Sequence, residues 1–385
     1  MLYRVIGRCY NGTMLDRLIK FFRDEAVLCI AFICALVSIA VTGDYSSIPE
    51  HIDWRVIALL FCLMSSVAGL SSSGVMARLA QMLVAGEKTR RSVCLALVML
   101  PFFASMLVTN DVALLTFVPI AVLALETAGW QDSLARVVVL QAIAANLGGM
   151  VTPVGNPQNL FIFTTYGLTG QDFIFALAPF GLLSLIMLAS VCLTFGKSTS
   201  HVTLKIDARA IDFKRFAMHV VLFALSVLSV FRIIPSELLV LVIAVALFVF
   251  DRRIFPKVDY ALLATFACFF IFSGNMANMS SMQEMLGSLM RDHPMLTSLV
   301  TSQIISNVPA SVLLSGFTSN WHSLLIGVDL GGLGTPIASL ASLIALKIYS
   351  HTEGARIIEF LKEFAIANLV TLAFMVVLYG VLFVW

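Results

Sequence analysis

The stretch NLGGMVTPVGNPQN, Asn146 to Asn159, and its cousin DLGGLGTPIASLAS, Asp329 to Ser342, put glycine, proline and amide or carboxyl side chains inside long apolar runs. Gly and Pro break the i→i−4 hydrogen-bond ladder, and backbone left unpaired at bilayer depth is strongly disfavoured. Such backbone persists only inside protein or beside a wet cavity, where the freed groups can hold a solute. Freed N–H groups at the start of a half-helix suit an anion, while freed carbonyls and Asn, Ser or Thr oxygens suit a small hard cation. The two stretches therefore mark a binding site.

They also align without gaps. Leu147, Gly148 and Gly149 pair with Leu330, Gly331 and Gly332; Thr152 and Pro153 pair with Thr335 and Pro336; Leu160 pairs with Leu343. Upstream of each lies an apolar stretch with a polar centre, LVTNDVALL in one case and IISNVPASV in the other. Thr109-Asn110-Asp111 and Ser306-Asn307-Val308 thus precede equivalent LGGxxTP segments.

Two acids accompany these motifs. Asp111 lies between long apolar arms, and a carboxyl at that depth must be protonated, paired or metal-bound. It either carries a coupling proton or Na⁺, or is a permanently protonated structural group. Asp329 stands where Asn146 stands in the first copy and either binds a cation or caps a helix. The seven cysteines form no CxxC pair and the six histidines no HExxH, so no cofactor or metal is expected beyond that coupling ion.

The elements that position these residues follow from composition. Of 385 residues 60% are hydrophobic and 12% charged, with mean hydropathy +0.99, against about 25% charged in a soluble domain. This predicts an all-α polytopic membrane protein. Crossings are expected at about 25–42, 54–73, 134–163 and 323–349 (both interrupted), 172–195, 216–234, 236–250, 258–273 and 360–384. The stretches 92–128 and 295–320 are expected as re-entrant hairpins, although two full crossings at 92–128 keep the same parity. The segment 274–285, GNMANMSSMQEM, reads as an outer loop.

Lys and Arg set the orientation, because they favour cytoplasmic loops. With the N-terminus cytoplasmic and the C-terminus outside, only Arg55, Arg232 and Arg291 of the 24 basic residues fall on the outer side. The chain then divides into a basic amphipathic lead-in 1–24, a first half 25–195, a cytoplasmic linker 196–215 and a second half 216–385. Met14 is an alternative start. The first LGGxxTP copy enters from the cytoplasm and the second from outside, which makes an inverted repeat with two hairpins and two broken helices.

At TNDVALL, NLGGMVTPVGNPQNL and SNVPASVLL followed by GTPIASLASLIAL, the chain resembles the ion-transporter superfamily. It looks most similar to the ArsB/NhaD-type permeases and their anion permease relatives, and more distantly to divalent-anion:sodium symporters. The resemblance covers about 54–163 and 258–349. It implies a scaffold domain and a transport domain, commonly a homodimer moving as an elevator. It places Thr109, Asn110, Ser306 and Asn307 on hairpin tips, and Gly149, Thr152, Pro153, Asn156, Thr335 and Pro336 on unwound crossings, as solute-binding residues. The chain departs from the sodium-coupled dicarboxylate pattern at Asp111 and Val308, which stand where those members carry Thr, and at TPIAS. ArsB-like members tend to carry Asn where Asp329 stands.

The expected function is a secondary active transporter for a small inorganic or organic anion, coupled to H⁺ or Na⁺, in a bacterial inner membrane. Asp111, Asn110, Asn307 and Asp329 are the residues expected at the coupling ion. Membrane lipid and a second copy are the expected partners, with no nucleic acid. Two alternatives stay open: a cation/proton antiporter, and an intramembrane aspartyl protease pairing Asp111 with Asp329, although the YD and GxGD contexts of such enzymes are absent. No enzymatic activity is expected.

Overall fold

The computed structural model describes residues 25–43, 45, 48–202 and 212–383. The lead-in 1–24 and residues 203–211 of the linker lie outside the described residues.

The chain is helical almost throughout. The first half runs through α1 (Ala26–Thr42), α2 (Trp54–Ser72) and the short amphipathic α3 (Val75–Val84). It continues through α4 (Arg90–Ala104), α5 (Asn110–Thr127), α6 (Leu134–Gly149), α7 (Pro157–Thr165) and α8 (Gly170–Cys192). After the linker come α9 (Phe213–Val230), α10 (Ser236–Phe250), α11 (Tyr260–Ala277), α12 (Ser280–Asp292), α13 (Pro294–Ile305) and α14 (Asn307–Ser315). The chain closes with α15 (Trp321–Gly331), α16 (Leu340–Ser350) and α17 (Ile357–Phe383). Six of these, α2, α5, α8, α9, α11 and α17, are long and apolar enough to cross a membrane. Large apolar side chains stand exposed along α1, α8, α10 and α17, among them Phe32, Phe175, Phe248 and Val377. A helix that is apolar all round and exposed faces lipid, so the protein is integral to a membrane.

Local chemistry sets the helix starts. Asp53, Asp212 and Asp259 each accept from the backbone N–H three residues on, capping α2, α9 and α11. Thr169 and Asp172 form a capping box at α8.

Helices α4 and α5 form a hairpin. At its open end Arg90 bonds Ser133 and pairs with Asp132, just before α6. At its closed end Phe102 and Ser105 meet Gly148, near the end of α6. The hairpin therefore enters and leaves by one face, and its tip stops at the break. This holds even though α5 alone is long enough to span. Helices α13 and α14 repeat the arrangement against α15. Met295 and Ser298 meet Gly327, and Leu299 and Ser302 meet Gly331. Counting crossings from α1, with neither hairpin crossing, α9 is one crossing beyond the pattern of the first half. It turns the second copy over.

Packing separates two groups. Helices α1, α2, α9, α10 and α11 pack together, with Gly69 of α2 so close to the His219 ring of α9 that a Cβ would lie 2.0 Å from Nδ1. The hairpins, the broken crossings and α8 and α17 form the second group, joined to the first where α11 meets α14 and α2 meets α7.

One expectation needs correction. The segment 274–285 is not a loop: α11 runs on to Ala277 and α12 starts at Ser280, because the polar residues lie on one side of an amphipathic helix with Met285 and Leu289 on the other. The all-α class holds, with one small piece of sheet. A two-stranded ribbon joins β1 (Gly86–Thr89) to β2 (Thr199–Val202), with Gly86 opposite Val202 and Thr89 opposite Thr199. It ties the run into the first hairpin to the start of the linker, a long-range pairing that hydropathy does not register.

Candidate functional site

The two breaks meet. Helix α6 ends at Gly149 and α7 restarts at Pro157; α15 ends at Gly331 and α16 restarts at Leu340, after a 3₁₀ turn at Pro336–Ala338. The repeat is visible in contacts, not only in letters. A Cβ on Gly148 would lie 2.0 Å from the Phe102 carbonyl oxygen, and one on Gly331 would lie 2.5 Å from Ser302 Cβ. Only glycine lets each hairpin tip approach so closely. The Thr152 hydroxyl donates to the Met106 carbonyl at 2.7 Å, and that of Thr335 to the Gln303 carbonyl at 3.5 Å. Both side chains fasten a break to its own hairpin.

Each tip asparagine turns its side-chain oxygen onto the next backbone N–H, Asn110 onto Asp111 and Asn307 onto Val308, both at 2.9 Å. The free amide nitrogen of Asn110 then donates to Asn146 Oδ1 at 2.9 Å. Asn146 Oδ1 also accepts from Ser339 Oγ at 3.0 Å, and Asn146 Nδ2 donates to the Gly332 carbonyl at 3.3 Å. Gly332 in turn lies against Asn307, whose Nδ2 would be 3.1 Å from a Cβ there. Asn110 and Asn307 are thus brought to one centre through Asn146 and Gly332. Ser306 bonds the Ala338 carbonyl at 3.2 Å and has φ +75° and ψ 155°, a conformation that L side chains rarely adopt.

The freed carbonyls are less free than the breaks suggest. Asn159 Nδ2 reaches the carbonyls of Gly149, Met150 and Thr152 at 3.1–3.3 Å. At the second break Gln303 Nε2 reaches those of Gly331 and Leu333 at 2.7 and 2.8 Å, and its Oε1 accepts from the Thr335 N–H at 2.9 Å. The same need is met from a half-helix in one copy and from a hairpin in the other. Each of these carbonyls has found a hydrogen-bond partner within the protein.

Asp329 is buried in the last turn of α15, whose N-cap is Asn320, so the capping role is excluded. Its Oδ1 accepts from Gln158 Nε2 of the other half at 3.0 Å, and Oδ2 has no partner. Asp111 Oδ1 also has none. Asp111 lines a cavity of about 330 Å³ together with Thr109, Asn156, Lys257 and Asp259, between α2 and α11 on one side and α5, α7 and α16 on the other. Asp329 is not part of that lining; its carboxyl bonds Gln158 instead.

Of the residues singled out from sequence, Asn110, Gly149, Pro153, Asn156, Ser306 and Asn307 are buried at the junction of the breaks and tips. Thr109 and Asp111 face the cavity. Thr335 is exposed and Pro336 half-buried. Asn146, Gln158, Asn159, Gln303 and Ser339 were missed. The signal for Asn146 was present, since it aligns with Asp329; Gln303 sits at a position occupied by Met106 in the other copy and carried none.

Comparison with known proteins gives the family context. The model of the citrate transporter family CitMHS matches residues 18–322. An uncharacterized transporter of Methanocaldococcus jannaschii is 31% identical over 303 residues, covering 77% of this chain and 81% of that protein. The inner membrane protein YbiR of Escherichia coli is 32% identical over 310 residues, covering 78% and 81%. The crystal structure of the YdaH transporter of Alcanivorax borkumensis, described as having an unusual topology, aligns with TM-score 0.55 over 92% of this chain and 97% of that one. At 12% identity that likeness concerns the fold alone. The match places the chain among membrane transporters, the broader class to which the motif resemblance also points.

Proposed function

The chain belongs to the citrate transporter family, and from that premise we propose that it is a secondary active transporter for a small anion, driven by H⁺ or Na⁺. The observation that carries the reading is the Asn110–Asn146–Gly332 chain of contacts, which joins both tips and both breaks at one buried centre. In this reading Asn110 and Asn307 orient the solute, and Thr109, Ser306 and Asn156 supply further polar contacts. Asp111, whose carboxyl lines the cavity with an unpartnered oxygen, carries the coupling ion. The second helix group moves against the first as an elevator, in a dimer, with the N-terminus cytoplasmic and the C-terminus outside. Carboxylates, citrate among them by the family's description, are the first solutes to test.

The deciding experiment uses proteoliposomes. Asp111→Asn is expected to abolish accumulation driven by an ion gradient while solute exchange persists. Full gradient-driven accumulation by that variant removes Asp111 from the coupling step. A cation/proton antiporter is the second reading, favoured by the same cavity acid. Flux that depends on Na⁺ and pH with no added anion supports it instead.

A further inference from the structure

We infer that the solute taken up by this site has an apolar body and at most one net negative charge, so that a monoanion of modest apolar bulk fits it and a free tricarboxylate does not. This rests on the transport reading above and names its substrate class.

The cavity beside the tips is built mainly of hydrocarbon. Of its eighteen lining residues thirteen are apolar, including Leu60, Leu63, Met64 and Val67 from α2 and Leu340 and Ile344 from α16. The five polar ones are Thr109, Asp111, Asn156, Lys257 and Asp259. Small-molecule sites of this kind combine apolar walls with a few polar groups that fix orientation. The walls favour apolar area removed from water, which a compact tricarboxylate hardly offers.

Charge points the same way. Lys257 is the one cation among the lining residues, and its ammonium already donates to Ser72 Oγ at 2.6 Å. Against it stand Asp111 and Asp259, the latter also capping α11 through the Leu262 N–H. With the coupling ion on Asp111, Lys257 and Asp259 offset each other and no positive surplus remains. A charge taken out of water needs a close partner to recover the desolvation penalty. Lys257, itself exposed and shared with Asp259, is the single cationic partner among the lining residues, and three carboxylates would leave at least two without any. Thr109 and Asn156 supply neutral hydrogen bonds, enough for one anionic head.

The test uses sulfonates, which stay monoanionic at any working pH, on the full chain in proteoliposomes. Exchange of labelled benzenesulfonate is measured with unlabelled methanesulfonate, benzenesulfonate and citrate as competitors. Benzenesulfonate is expected to compete at about tenfold lower concentration than methanesulfonate or citrate, as burial of a ring rather than a methyl group implies. Met64→Gln is expected to narrow the gap between the two sulfonates. Lys257→Gln is expected to weaken both alike. These are ratios within one preparation, so a lower folded fraction does not mimic them. Citrate competing as well as benzenesulfonate, or the two sulfonates competing equally, overturns the inference while leaving the transport reading intact. No exchange of any of these solutes, nor of other small anions, counts against the transport reading itself.

Discussion

Asn146 and Ser339, from opposite halves of the chain, are hydrogen-bonded at 3.0 Å in the buried centre where the two breaks meet. The repeat makes Ser339 the counterpart of Asn156, and Asn146 the counterpart of Asp329. The first copy therefore presents an amide where the second presents an acid. Asn146 uses both amide atoms, accepting from two residues and donating to the Gly332 carbonyl. With Gln158, which bonds Asp329 across the same junction, it ties the two half-sites together.

Asn146→Ala is expected to leave the Asn110 amide and the Gly332 carbonyl without partners. Each orphaned buried group is worth about 1–3 kcal/mol, so thermal stability of the purified protein falls and solute exchange slows sharply. Exchange at the wild-type rate would show that the two half-sites hold together without this side chain.

Asp329→Asn keeps the oxygen that Gln158 donates to and makes the second copy match the first. Stability is expected to stay within about 1 kcal/mol of wild type, measured by thermal unfolding in detergent. If Asp329 holds the coupling ion, the same variant loses its response to an imposed ion gradient. An unchanged response leaves coupling to Asp111 alone.

Gly148→Ala drives a Cβ onto the Phe102 backbone carbonyl, and Gly331→Ala drives one onto Ser302. Overpacking of this kind costs about 1–3 kcal/mol, with the larger loss expected at Gly148, where a backbone atom must give way. Gly287→Ala on α12 meets nothing closer than 3.9 Å and is expected to be neutral or stabilising by up to about 1 kcal/mol. Melting temperatures of the three variants rank the claim, and equal melting of Gly148→Ala and Gly287→Ala would refute it.

Gln303→Leu removes the side chain that bonds two carbonyls and one N–H of the second break. A loss of about 2 kcal/mol or more is expected, together with faster hydrogen exchange at Thr335, whose N–H that side chain holds. Met106→Leu, at the equivalent place in the first copy, is expected to change neither by more than about 1.5 kcal/mol. Similar destabilisation in both would mean that Gln303 acts through packing and not through its amide.

By itself the sequence determined the membrane class, the helical architecture, the doubled motif and the position of both breaks. Each is written in a local pattern: apolar length, or Gly and Pro where a ladder must stop. It also pointed to Asn110, Asn307 and Asp111, because a polar residue at bilayer depth needs a reason. Only the tertiary structure decided what those groups touch. That Thr152 and Thr335 fasten hairpins, that Asn159 and Gln303 fill the same need from different elements, and that Asn146 bridges the halves all depend on residues brought together from far along the chain. An amide's partners are set by which backbone atoms packing leaves unpaired beside it, and that is a property of the assembled fold, invisible in any window of sequence.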